Sequence, residues 1–273
     1  MSTHVGIGSH ARRLVALLTL LAALGFHAAP ARADEVHVMV SGGFTAPFKV
    51  LAAEWEKATG HTVVTVYGAS MGSTPTAIPN RLRRGEPADV VILARQALDA
   101  LATDGAVRAG TQVDLVRSRI AMAVRAGAPV PDISTEAKFR DALLNAPSVA
   151  YSDSASGTYI STQMFRRMGI ADQLTPKSKM IPGTPVGETV AKGEAAVGFQ
   201  QLSELKPVDG ITIVGPIPES VQLVTLFSAG IATSSKAPAP AQALIQFLVS
   251  RQAWETIRNA GLEPVAEAAP PRE

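Results

Sequence analysis

Residues 61–93 read HTVVTVYGASMGSTPTAIPNRLRRGEPADVVIL, and the order of patterns inside this stretch decides the fold. Residues 61–67 are β-branched and strand-like. They run into Gly68-Ala69-Ser70-Met71-Gly72-Ser73-Thr74, and a helix is predicted to open near Thr76. Residues 88–93 (ADVVIL) follow Pro87 as a short, largely apolar run, which suits a parallel strand covered on both faces. Upstream, residues 35–40 alternate as a strand and end at Ser41-Gly42-Gly43. Residues 44–59 then carry a helical stripe of Phe48, Leu51, Ala52 and Trp55, stopped by Gly60. Strand, helix, strand, helix, strand in this order indicates an open α/β sheet.

The pattern changes near Val113, and residues 120–125 (IAMAVR) read as a strand entering a second unit. A Pro/Gly-rich turn at 127–131, a helix over 134–144 and a short strand at Val149-Ala150-Tyr151 follow. Beyond Ser152-Asp153-Ser154-Ala155-Ser156-Gly157-Thr158 a helix is predicted through Met168, then a loop and a helix over 186–192. Residues 196–200 and 211–214 are short strands, and 221–233 is an apolar run long enough to pass from the second unit back to the first. Residues 241–260 read as one amphipathic helix, and the tail after Pro264 is expected to be mobile.

The N-terminus has the form of a cleaved export leader. Arg12 and Arg13 give a positive start, residues 14–26 are almost uninterrupted apolar, and Ala31-Arg32-Ala33 offers a cleavage site before Asp34. The apolar run is too short to cross a bilayer, and no later stretch reaches that length, so a periplasmic protein without stable membrane insertion is expected. The whole chain has 25 basic and 23 acidic residues. Removing three leader arginines leaves 22 against 23, so no basic excess argues for nucleic acid. Cysteine is absent, which excludes disulfides, thiolate metal sites and Cys nucleophiles. Only His37 and His61 survive processing, both at strand edges, and they do not suffice for a multi-His metal site or a Ser-His-Asp triad. Neither metal nor cofactor is expected.

Three loops share one property. Ser41-Gly42-Gly43, Ser70-Met71-Gly72-Ser73-Thr74 and Ser154-Ala155-Ser156-Gly157-Thr158 each follow a strand and open a helix, where α/β sheets bind ligands. Glycine lets the backbone approach a ligand, and helix N-termini and hydroxyls supply donors, a combination suited to a small anion. The same residues also describe ordinary helix caps. Two such loops in the first unit and one in the second point to a cleft between them.

The strings SGGF (41–44), GASMGSTPTAIPNRLRRGEPADVVIL (68–93), VAYSDSASGTYIS (149–161) and GFQQLSEL (198–205) resemble the binding proteins of molybdate-type ABC importers. The resemblance covers nearly all of the mature chain. It implies a type II periplasmic-binding-protein fold, two α/β lobes joined by two crossing segments. Lobe 1 would comprise residues 34–115 plus 228–273, and lobe 2 residues 116–227. It also implies Ser41 and Ser70 as hydroxyl donors, with backbone N–H groups near Ser156 and Gly157. The molybdate binders usually carry a Tyr after Gly-Phe, where this chain has Gln200-Gln201, and that departure moves the ligand away from a metal oxyanion. The Ser-Met-Gly, Ala-Tyr-Ser-Asp-Ser-Ala-Ser-Gly and Gly-Phe-Gln-Gln-Leu-Ser-Glu-Leu strings are similar to the aconitate isomerase-like subgroup of that family. The implied activity is interconversion of cis- and trans-aconitate by an allylic proton shift, on a small polycarboxylate.

That chemistry needs a base, a returned proton and donors for three carboxylates. Tyr151, Asp153 and Glu188 are the candidate bases, and each also reads as a structural residue: core aromatic, turn residue and solvated helix residue. Arg81, Arg83, Arg84 and Arg95 supply charge near the first unit's loops, with Arg83 placed among the ligand contacts beside Gln200 and Gln201. The alternative function is a non-catalytic solute-binding component that delivers a small anion to an ABC permease.

Overall fold

The computed structural model describes residues 1–2 and 34–265. The expected leader and most of the tail after Pro264 lie outside the described residues. None of the described helices is long and apolar enough to cross a membrane.

The strands are β1 (Glu35–Ser41), β2 (Thr62–Gly68), β3 (Val90–Ala94), β4 (Val113–Ser118), β5 (Ile120–Arg125), β6 (Val149–Ser152), β7 (Ser178–Ile181), β8 (Val197–Gln201), β9 (Ile211–Pro216), β10 (Thr225–Ile231) and β11 (Glu263–Pro264). They form two sheets, ordered β11-β4-β10-β3-β1-β2 and β7-β6-β8-β5-β9. In the first, β1 runs parallel to β2 and β3, while β10 runs antiparallel to β3 and β4. In the second, β6 is parallel to β7 and β8, and β5 is antiparallel to β8 and β9.

The alternation of β3 explains its apolar sequence. Val90, Ile92 and Ala94 face one core with Phe44, Phe48, Leu51 and Trp55 of helix α1 (Gly42–Thr59). Val91 and Leu93 face the opposite core with Ile78 of α2 (Ile78–Arg83) and Leu98 and Leu101 of α3 (Arg95–Thr103). Both faces are covered, so a continuous apolar run is required. The one acid in that run, Asp89, is buried just before β3. It accepts hydrogen bonds from His37 N (2.8 Å), Ser235 Oγ (2.7 Å), Lys236 N (2.8 Å) and Ala237 N (3.0 Å). The second lobe centres on Phe139 and Phe199, packed edge to face at 5.9 Å between centroids, with Ile160, Met164 and Leu174 around them.

The chain crosses between the sheets through Arg119 alone, between β4 and β5, and returns through residues 217–224, between β9 and β10. The crossings are tied together. The Gln222 amide accepts from Ile120 N (2.9 Å) and donates to Ile120 O (3.0 Å), and the Arg119 guanidinium pairs with Glu219 and Glu263.

Several local expectations change. The single helix over 241–260 is two, Pro238–Val249 and Trp254–Asn259, because Ser250 adopts an extended conformation (φ −70°, ψ 159°). Leu244, Ile245 and Leu248 before the break and Ala253 and Ile257 after it reach the same core, so the apolar period reads straight through. The strand expected over 221–233 is β10 alone, since residues 219–221 form a 3-10 turn within the crossing. The loop expected before residue 186 contains β7, a half-exposed edge strand that carries little apolar signal.

Candidate functional site

The carboxyl ends of β1, β2, β6 and β8 hold the polar loops at the junction of the lobes, with the end of β3 beside them. Ser41 ends β1 and precedes α1, yet its hydroxyl makes no cap bond to that helix. It lies 2.7 Å from the Ser70 hydroxyl, which also accepts from Ala94 N at 2.9 Å. Both serines are almost fully buried, at 2% and 0% exposure. The pair carries two hydroxyl protons and uses one between themselves, leaving one donor for another partner.

The second lobe repeats this device. Ser154 precedes the helical turn Ala155–Tyr159 without capping it by side chain. Its hydroxyl instead accepts the Ser70 N–H across the junction at 3.3 Å, which leaves its own proton available. Ser152 and Ser156 hydroxyls meet at 3.2 Å, both buried. Helix capping, the alternative reading of Ser41 and Ser154, is therefore not the role their hydroxyls play. Gly157 is required here, because a Cβ would stand 1.6 Å from Ser152 O. Gly72, at φ 109°, faces Asp153, whose backbone oxygen would lie 2.9 Å from an added Cβ. The Asp153 Oδ2 atom is buried and has no hydrogen-bond partner. Met71 Sδ lies 3.7 Å from the Thr158 hydroxyl, while Ser73 is exposed.

The end of β8 closes the site. Gln200 accepts from Val186 N at 2.9 Å and donates to Glu204 Oε1 at 2.9 Å. Gln201 donates to Thr225 Oγ1 at 2.9 Å, and its side-chain Oε1 is buried without a partner. Ser203 donates to Gly43 O at 2.8 Å, bringing the short helix Leu202–Leu205 against the first lobe. Glu204 enters the space left by Gly42: a Cβ there would sit 2.0 Å from Glu204 Oε1. Gly43 likewise accommodates the Phe227 ring. Burial pushes the Glu204 pKa up to about 7, and the Asp153 charge acts in the same direction, against hydrogen bonds from Gln200 and from the Gln201 N–H.

Several expected residues are not brought to this cluster. Tyr151 sets its ring edge-on against Phe165 of the second core, 6.3 Å between centroids, because its neighbour Ser152 takes the opposite face of β6. Glu188 is exposed on the helix Val186–Ala191, whose buried face uses Val186 and Val190. Arg83 is exposed and donates to Asn80 Oδ1 at 2.8 Å. Arg81 and Arg84 both bind Glu86, and Arg95 binds Asp99 and Asp114. Arg81, Arg84 and Arg95 thus pair with nearby carboxylates, and the donors at the junction described above are neutral hydroxyls and N–H groups. Glu204 was not singled out in the sequence, although it lies within GFQQLSEL. Its position depends on the docking of its short helix against Gly42, which no local pattern encodes.

With this geometry in hand, comparisons with known proteins place the chain. The model of the bacterial extracellular solute-binding protein family matches residues 36–263. The chain belongs to that family. It is 51% identical over 228 residues to an aconitate isomerase of a Pseudomonas species, covering 84% of this chain and 87% of that one. It is 28% identical over 247 residues to the molybdate-binding protein of Azotobacter vinelandii, covering 87% and 93%. The solved periplasmic molybdate-binding protein of the same organism shares the fold at a TM-score of 0.66 and 22% identity, over 83% of this chain and 98% of that one. The fold is the two-lobed type II periplasmic-binding-protein architecture, and the aconitate isomerase-like subgroup expected from the sequence agrees with these relatives.

Proposed function

We propose that this chain is a periplasmic isomerase that interconverts cis- and trans-aconitate by an allylic proton shift. The observation that carries the reading is the surplus of buried hydroxyl donors at the lobe junction, in a chain half identical to an aconitate isomerase. Substrate carboxylates accept from the Ser41–Ser70 pair, from Ser154 and from the Ser152–Ser156 pair, with first-turn N–H groups around Ser156 and Gly157 adding to them. Donors fixed in place hold charge that grows on the substrate as a C–H bond breaks, at no cost of reorganisation. Closing of the lobes about the crossings at Arg119 and 217–224, a boundary a few residues from the expected 115/116 and 227/228, excludes water from that step. Residues 1–33 act as the export leader.

The test is direct. Purified chain from Asp34 onward is mixed with cis-aconitate and the products are separated by chromatography. Formation of trans-aconitate above the uncatalysed rate is expected, and its absence sinks the isomerase reading.

A second reading is supported by the relation to molybdate-binding proteins: a non-catalytic carrier that delivers a small anion to a permease. It predicts that a ligand raises the melting temperature without being converted. Thermal shift with molybdate, sulfate, citrate and both aconitates separates the two. A polycarboxylate rather than a tetrahedral oxyanion is the expected stabiliser.

A further inference from the structure

We infer that Glu204 carries the migrating proton, taking it from the substrate's methylene carbon and returning it at the far end of the allyl unit; this rests on the isomerase reading above. The position is built by both lobes. The helix Leu202–Leu205 of the second lobe carries the carboxylate, and Gly42 at the start of α1 in the first lobe leaves the gap it enters. The orientation is fixed from behind, because Gln200 donates to Oε1 while its own oxygen is held by Val186 N. Glu204 nevertheless keeps part of its surface open, unlike the serines beside it.

The groups facing Glu204 are the Gln200 amide, the Gln201 N–H, the backbone of Gly42 and one charge, Asp153. No cation among them fixes the carboxylate in its charged form. Burial and Asp153 instead bring its pKa to about 7, so both protonation states are populated near neutrality. A group that must accept a proton and then release it works best in that range. Of the candidate bases expected from the sequence, Tyr151 packs against the second core and Glu188 is exposed, whereas Asp153 stands at the junction against Gly72 and acts here through its charge on Glu204.

The step balances without any co-reactant. The C–H bond at the methylene carbon breaks, its electron pair spreads over the three allyl carbons and their carboxylates, and Glu204 becomes the neutral acid. A new C–H bond forms at the other terminal carbon with the same proton equivalent, the double bond moves by one position, and Glu204 is ionised again.

The experiment uses the mature chain and its Glu204→Gln and Glu204→Asp variants. Isomerisation is followed by chromatography, exchange of the methylene protons in D2O by NMR, and binding of trans-aconitate by calorimetry. For Glu204→Gln we expect kcat to fall about 10²–10⁴-fold with loss of exchange, while affinity changes only a few-fold. Glu204→Asp should recover part of the rate. In the wild type, kcat should rise with pH through about 7, and that limb should be absent from the residual activity of Glu204→Gln. Turnover by Glu204→Gln within about threefold of wild type overturns the assignment and leaves the isomerase reading intact. A wild-type kcat that does not titrate near neutrality also overturns it, and needs no variant to fold. A wild type with no turnover removes both.

Discussion

Ser70 reaches Ser154 across the junction of the two lobes, its backbone N–H donating to the Ser154 hydroxyl at 3.3 Å. Its own hydroxyl stays within the first lobe, between Ser41 Oγ and Ala94 N. One residue thus joins the lobes through its main chain and offers a donor through its side chain, and the two roles can be separated by substitution.

Ser70→Ala should keep the bond to Ser154, since that uses the backbone, but lose the hydroxyl. The buried Ala94 N–H then has no acceptor, at a cost of about 1–3 kcal/mol. The expected result is a folded protein with a lower melting temperature and about tenfold weaker binding of trans-aconitate, the loss of one hydrogen bond. Unchanged affinity by calorimetry means that the loop does not touch the ligand.

Gly157→Ala tests whether the second-lobe loop tolerates a side chain. The new Cβ would stand 1.6 Å from Ser152 O, a backbone atom that cannot swing aside. Destabilisation of about 3 kcal/mol or more is expected, at the upper end of overpacking costs. Chemical denaturation measures it, and a loss below about 1 kcal/mol shows that the loop relaxes freely.

Asp89 pins the start of β3 to the segment 235–237. Burial opposes its charge, but the His37 N–H, the Ser235 hydroxyl and the Ala237 and Lys236 N–H groups hold its pKa below the ordinary value. A depressed carboxylate contributes stability that is present above the unfolded pKa and is lost as pH falls through the folded one. Asp89→Ala leaves several part-buried N–H groups without an acceptor, so a loss of about 3 kcal/mol or more is expected at pH 7. The loss should shrink in acid. A penalty that is constant with pH argues against the carboxylate's charge as the cause.

Glu204 has the opposite sign. Its folded pKa of about 7 lies above the ordinary value of 4.5, so its stability contribution is complete below about 4.5 and is lost as pH rises through about 7. Glu204→Gln should therefore be more stable than the wild type at pH 8, by roughly 2–3 kcal/mol relative to the difference at pH 5. Melting curves at both pH values check this, and an identical difference at each excludes the titration. The residue inferred to move the proton is expected to weaken the fold at working pH, the usual tension between activity and stability.

The sequence exposed the parts of the site whose chemistry is local. Ser-Gly loops after strands announce themselves because both the turn and the donor sit within a few residues, and Ser41, Ser70, Ser154 and Ser156 are all at the junction. Arg81, Arg84 and Arg95 lie near the first unit's loops in the chain, but their partners Glu86, Asp99 and Asp114 lie as near, and only the folded arrangement shows the pairing. Glu204 and Asp89 were overlooked for the reverse reason. Asp89 is buried, and Glu204 half-buried, by elements distant in the chain, so only the folded arrangement separates them from surface residues.

The crossings between the lobes have a mechanical consequence. Gln222 grips both polar groups of Ile120, and Arg119 beside it holds Glu219 of the returning strand of chain. Two tethers joined this way are expected to bend together, so a swing of the lobes should follow a single axis. The grip has an amide half and an ionic half, and only the ionic half stands largely in water, where salt screens it. Ionic strength should therefore soften the swing while leaving its axis unchanged, making the rate of ligand capture sensitive to a solution variable that never enters the cleft.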